Sequence, residues 1–479
     1  MVVLFVVVGI AIAGYFYIAG KRERAIESVA VLPFENKSND ADTEYLSDGL
    51  AESLIYRLSQ LPNLKVSPTS SVFRYKGKEL DAQKIAADLG VTAVMTGRMV
   101  QRGQNLTISV ELIDAKSNKL LWGEQFERKM SDLLATQREI AAAITEKLQL
   151  KLSGEDAKGI TKHYTENNEA YQAYLKGRYH WRQRGGKNIS TGIGYFQEAI
   201  KLDPNFALAW SGLADSYVLL PEYTTTLVSE ALPKAKQAAQ KASELDSALA
   251  KAHASLGYIN YVYEWNFAAA DNEFRKSIEL NPNYTTAHQW YAEMLTFTGR
   301  NDEALTQAKK AVELEPLSAL QKFIYGVVLY DARKYDEAAK QVDAGLELDP
   351  DFARLNQFKA QNAIERGDFK GALEACQKAM AADARVYKYC PALVYAKQGD
   401  RNRAYKTISG PLVGGAIGES NLALIYALLG DKDKAFESLD KLYREKSAFV
   451  VYSKAFPSFD NLRGDPRYKD LLKKVGLPE

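Results

Sequence analysis

Prolines stand at positions 282, 316 and 350, and the 34-residue step between them constrains this chain more than any single motif. Five residues before each proline comes a small side chain: Ser277, Ala311 and Gly345. Twelve before stand Ala270, Ala304 and Ala338, and twenty-four before the last two stand Ala292 and Gly326. Small residues at fixed phase let two helices cross closely, and a proline cannot continue the helix that precedes it. The period therefore dictates stacked helical hairpins, each burying its apolar face against the next.

Such a 34-residue unit is similar to the tetratricopeptide (TPR) repeat, and the pattern extends on both sides of the three prolines. Ala199 and Pro204 keep the five-residue offset upstream, behind an enlarged loop through Arg184–Asn188. A second unit opens with Trp210 and Leu213 and carries extra residues around Pro221–Thr226. Downstream, Gly367–Ala372, Gly399–Ala404 and Gly430–Ala435 repeat one five-residue step, with a break at Gly410–Gly418. About eight hairpins are expected over residues 169–464, closed by a polar-faced capping helix over 465–476.

The first twenty residues follow a different rule. No charge occurs from Val2 to Gly20, a run that spans about 28 Å as a helix, close to a bilayer core. Lys21-Arg-Glu-Arg24 ends it. A signal peptide wants a basic segment ahead of its apolar run, so an uncleaved transmembrane helix over residues 2–20 is favoured. The basic residues after the span place the bulk of the chain in the cytoplasm by the positive-inside rule, a rule that weighs both flanks. A span placed this early raises the expectation of further sequence upstream.

Residues 28–153 are not repetitive. Ser28–Phe34 and Leu64–Ser67 read as short buried strands, and Thr43–Leu61 and Asp81–Leu89 as helices, the latter stopped by Gly90. Three strands follow, Thr92–Gln101, Leu106–Ile113 and Leu120–Arg128, joined by turn chemistry. In the middle strand Leu106, Ile108, Val110 and Leu112 alternate with polar residues, so one face is buried. A helix over Ser131–Leu152 closes the order βαβαβββα. The expected fold is thus an α+β N-terminal domain followed by an all-α TPR superhelix, with an N-terminal transmembrane helix.

The runs Ser28-Val-Ala-Val-Leu-Pro-Phe34, Tyr45-Leu-Ser-Asp-Gly-Leu50, Leu89-Gly-Val91 with Gly97, Leu112-Ile-Asp-Ala115 and Leu121-Trp122 resemble the TolB N-terminal-like domain. In bacteria that domain often precedes TPR arrays in the extracytoplasmic part of single-span CadC-type winged-helix regulators, Ser/Thr protein kinases and adenylate cyclases. The resemblance implies an inner-membrane, single-pass protein with a periplasmic soluble part, opposite to the literal charge rule. It carries no catalytic residue, and no kinase, cyclase or DNA-binding portion stands ahead of the span.

The sequence offers no constellation for chemistry. No phosphate-cradling glycine loop, nucleophile elbow or His-Glu-x-x-His helix occurs. The four histidines are scattered, and two cysteines exclude a Cys-rich metal site, so no cofactor or metal is expected. A net charge of +2, from 62 basic against 60 acidic residues, gives no basic stripe for nucleic acid. Acidic pairs such as Asp302-Glu303 and Asp336-Glu337 fit helix starts by capping and dipole.

Function is then expected in the concave groove formed by the first helix of each hairpin. Helix phase points Tyr258, Tyr261, Gln289, Glu293, Phe297, Phe323, Tyr330, Arg354 and Gln357 inward, a mix of aromatic and polar groups suited to a protein or peptide partner. Packing between hairpins is an equal explanation for Tyr258 and Phe323. The same phase makes Cys376 and Cys390 neighbours across a seam about a turn near Asp383; a disulfide and two free packing thiols are both consistent with that. The chain reads as a non-enzymatic, membrane-anchored binding scaffold or sensor module. The alternative is the sensing half of a kinase, cyclase or winged-helix regulator whose output domain is absent from it.

Overall fold

The computed structural model describes residues 26–38, 43–61, 63–79, 81–148, 153–224, 226–409 and 415–477. The expected membrane helix at 2–20 lies outside them, and among the described residues no helix is long and apolar enough to cross a membrane.

The N-terminal domain is a mixed sheet of six strands: β1 (Ser28–Val31), β2 (Glu35–Asn36), β3 (Lys65–Val66), β4 (Ala93–Arg102), β5 (Asn105–Asp114) and β6 (Lys119–Lys129). The order is β3-β1-β4-β5-β6, with β2 pairing β4 further along. β1 runs parallel to β3 and β4, with Val29 opposite Val66 and Ala93. It is buried at all four positions, as a continuous apolar run between parallel neighbours should be. β4, β5 and β6 form an antiparallel meander, and Leu106, Ile108, Val110 and Leu112 are all buried. Gly97 leaves room for the Phe34 ring, because a Cβ there would lie 2.6 Å from it.

Three longer helices, α1 (Glu44–Ser59), α2 (Ala82–Leu89) and α3 (Leu133–Lys147), and a single-turn helix over Thr69–Val72 complete the domain. Asp81 caps α2 by accepting from the Gln83 and Lys84 amides, and Gly90 ends it at φ 62°. The helix expected from Ser131 starts instead with a 3₁₀ turn over Met130–Asp132. A short helix over Gly154–Thr161 links the sheet domain to the repeats. Docking fixes it rather than any pattern of its own. Ile160 is buried, and Arg57 of α1 donates to the Ile160 and Lys162 carbonyls at 2.8 and 3.0 Å.

Eight antiparallel helix pairs follow among the described residues, from Asn168–Gln183 with Gly186–Leu202 to Gly415–Leu429 with Lys432–Arg444. Helices end at Leu280, Leu314 and Leu348, each two residues before its proline. Ala270, Ala304, Ala338 and Ala372 are fully buried at the crossings. Asp302, Glu303, Asp336 and Glu337 occupy first turns, but the capping positions are Arg300 and Lys334, so these acids serve the dipole and do not cap. Cys376 and Cys390 form a disulfide, with S–S 2.01 Å and Cα atoms 5.4 Å apart.

Two features exceed a simple row of repeats. The N-terminal core is continuous with the first hairpins: α1 packs on Asn168–Gln183, and Gly49 leaves space for Leu175. At the other end, the segment after Arg444 turns back. The expected polar-faced cap is an amphipathic helix, Pro466–Lys474, that buries Tyr468, Leu471 and Leu472. Its exit places Gly476 against Trp265 and Phe267 of the third hairpin, while Tyr443 stacks on Trp265 at 5.4 Å. The superhelix has completed enough of a turn for its end to meet its early repeats.

Candidate functional site

The concave face holds a partly open cavity of about 690 Å³. One wall is made by first helices of the hairpins. A second comes from the N-terminal domain, through Tyr56, Ser59, Val66 and residues 68–70, and a third from Tyr452 and Phe456 of the returning segment. The N-terminal wall is tied down by the turn after the third hairpin. Asn281 donates to Ser59 Oγ at 3.0 Å, and Asn283 to the Ser59 and Leu64 carbonyls at 3.1 Å. The third wall is held by Tyr452 on Phe297 and by Arg333, which donates to the Ala455 carbonyl at 3.0 Å and to Asp460 at 2.8 Å.

Tyr258, Gln289, Glu293, Phe297, Phe323, Tyr330, Arg354 and Gln357 all line this cavity. Tyr261 does not: it is fully buried behind the wall, where its ring packs on Phe274 and its hydroxyl donates to Glu293 at 3.1 Å. Phe323 and Tyr258 both line the cavity and pack on neighbours, so the two readings of those rings hold together. Phe323 meets Phe358 edge-on at 5.6 Å, and Tyr258 lies 4.6 Å from Trp290.

A polar ladder crosses three hairpins along the wall. Gln321 donates to Gln289 at 3.0 Å, Gln289 donates to Glu293 at 3.1 Å, and Tyr261 donates to the other oxygen of Glu293. Burial pushes the Glu293 carboxyl up to about 7; the charge of Glu222 adds to this, while the two hydrogen bonds and Arg354 oppose it. At the N-terminal end, Arg178 donates to Glu52 at 2.6 Å and lies 3.8 Å from Asp215. Lys251 sits over the Tyr56 ring at 4.6 Å, its ammonium lowered to about 8 by burial and by the charge of Arg178.

Sequence reasoning missed Trp290, Gln321, Gln361 and the two contributors from the tail, Tyr452 and Phe456. Gln361 lies one helical turn after Gln357 on the same face, so helix phase could have found it. Nothing local marks Tyr452. Its role depends on where the chain returns. Among the described residues no cluster of His, Cys, Asp and Glu could hold a metal ion.

Residues 25–143 match the family model "HilA/YgeH-like transcriptional regulator, second domain", and residues 325–385 match a tetratricopeptide repeat model. The model matched by the N-terminal region thus carries a HilA-type description and not a TolB-type one. The chain is similar to "Putative adenylate cyclase 3" of Rhizobium meliloti (strain 1021), 28% identical over 232 residues, covering 48% of this chain and 39% of that protein. It is also similar to "Transcriptional regulator HilA" of Salmonella typhimurium, 23% identical over 285 residues, covering 58% of this chain and 49% of that one. The matches therefore span half or less of those relatives' lengths. Among solved structures, "YrrB: a TPR protein with an unusual peptide-binding site" is 24% identical, with 40% of this chain and 92% of that one covered at a TM-score of 0.30. The chain carries a tetratricopeptide domain preceded by a small mixed-sheet domain similar to the HilA-type second domain.

Proposed function

We propose that this chain is a non-enzymatic sensor module, anchored through residues 2–20, that signals occupancy of the TPR groove. One observation carries the reading: the N-terminal domain, the hairpins and the C-terminal segment all contribute walls to one cavity. An occupant touching all three changes how they sit together, and a binding event becomes a mechanical one. The partner expected from the groove's aromatic and amide lining is a peptide segment of another protein.

A photo-crosslinking residue at Gln357 of the full chain, expressed in its native host, tests this. Adducts are expected there and not at Lys309, an exposed position on the second helix of the fourth hairpin. Equal labelling at both, or none at Gln357, would sink the reading.

The second reading is the sensing half of a longer signalling protein, an adenylate cyclase or a transcription regulator. The names of the similar relatives favour it, since both matches fall on part of a larger chain. Fusing a reporter after Glu479 and reading its compartment tests the periplasmic placement; activity of a cytoplasmic-only reporter contradicts it.

A further inference from the structure

We propose that the peptide segment held in the groove is acidic at both ends of an apolar stretch, with one side-chain carboxylate on Lys251 and another on Arg354. This rests on the peptide reading above and adds the chemistry of the peptide.

The repeat sets the spacing. Lys251, Thr286, Leu320 and Arg354 are each the second residue of the first helix in their hairpin, one repeat apart in turn, and all four line the cavity. Stacking copies of one unit puts equivalent positions in a row along the groove. That row reads cation, hydroxyl, leucine, cation. Leu320 is 39% exposed, and Phe323 lies one turn further along its helix, so the middle of the row is apolar.

The two end cations have no partner of their own. Among the described residues no ion pair or hydrogen bond engages the Lys251 ammonium or the Arg354 guanidinium. Arg354 is exposed; Lys251 is half-buried and sits over the Tyr56 ring at 4.6 Å. The carboxylates around Lys251, Glu52 and Asp215, are already turned to Arg178. Burial and then the charge of Arg178 lower the Lys251 ammonium to about 8, and a ligand carboxylate beside it would reverse that.

The rest of the wall does not offset these cations. Burial raises the carboxyls of Glu293 and Glu315 toward their neutral forms. Glu222 then remains against Lys251, Arg354 and Arg184, the last stacked on the Trp181 ring at 3.8 Å. An acidic segment evens that balance, whereas a basic one sets like charges together in a partly desolvated groove. The cavity is only partly open, yet that is enough for an extended chain to enter and leave.

The test selects phage-displayed random dodecamer peptides against the full chain in detergent micelles. Enriched sequences are expected to carry Asp or Glu on both sides of an apolar residue. Binding of a selected peptide, read by fluorescence anisotropy, should weaken about tenfold in Lys251→Met, in Arg354→Gln, and when the peptide's acids become Asn or Gln. Arg354 is exposed, so its variants keep the fold, and Arg354→Glu should recover affinity for a peptide with Lys in place of the facing acid. A melting curve checks Lys251→Met. Selection without acidic enrichment overturns the proposal, as does equal binding of the neutral peptide or failure to select any peptide. In each of those cases a protein adduct at Gln357 leaves the sensor reading standing, and its absence removes both.

Discussion

Phe297 and Tyr452 stack with ring centroids 4.3 Å apart, although 155 residues separate them in the chain. Phe297 ends the first helix of the fourth hairpin, and Tyr452 belongs to the segment that returns after the eighth. That contact closes the third wall of the cavity, and its removal should open it. Phe297 is 4% exposed, so Phe297→Ala is expected to cost about 3 kcal/mol. A double-mutant cycle with Tyr452→Ala should return a coupling of about 1 kcal/mol, with faster amide exchange over residues 447–462. Strict additivity would mean that the tail is held elsewhere.

Asp331 gives the stability of the fold a pH dependence. Both carboxylate oxygens are buried without a hydrogen-bond donor, and burial pushes the group from 3.8 to about 8, against the opposing charges of Arg333 and Arg463. Between those values the folded chain holds a proton that the unfolded chain has lost. Stability should therefore fall as pH rises from about 4 to about 8 and level off above. Asp331→Asn should flatten this slope and raise the melting temperature most at pH 8. Parallel melting curves for the two proteins across that range would refute the assignment.

Ala338 is fully buried where the two helices of the fifth hairpin cross. Ala338→Arg forces both overpacking and an unpaired charge into that crossing, at a cost of roughly 3 kcal/mol or more. An unchanged urea midpoint would show that the crossing lies elsewhere.

The Cys376–Cys390 bond closes a loop with a sequence separation of 14. Loop entropy for a closure of that length corresponds to about 3 kcal/mol. Reductant should lower the melting temperature of the wild-type chain and leave Cys376→Ala/Cys390→Ala unaffected. Equal sensitivity of both proteins would argue against the bond in solution.

Deletion of residues 2–20 should move the full chain from the membrane pellet to the soluble fraction. If the intact chain is already soluble without detergent, the anchor reading is wrong.

Much of the fold was legible because its determinants are local or periodic. Ala304 and Ala338 report a helix crossing through size and phase alone, and Gly90 reports a helix end through its positive φ. The alternating apolar residues of β5 named their own buried face. Helix phase also placed Gln289, Phe323 and Gln357 on the concave side, since a repeat fixes orientation wherever it recurs. Tyr261 escaped that reasoning because its phase lies at the edge between groove and core, and only packing against Phe274 draws it inward.

By itself, then, the sequence determined the hairpins, their phase and the strand–helix order of the first domain, all of which follow from spacing along the chain. Tertiary structure alone decided that the groove is walled by three parts of the chain. Superhelical rotation accumulates over successive hairpins until Tyr452 meets Phe297 and Gly476 meets Trp265. Ser59 reaches Asn281 and Asn283 for the same reason, across more than two hundred residues. Those meetings depend on the sum of many small inter-repeat angles, a quantity that no local residue pattern encodes.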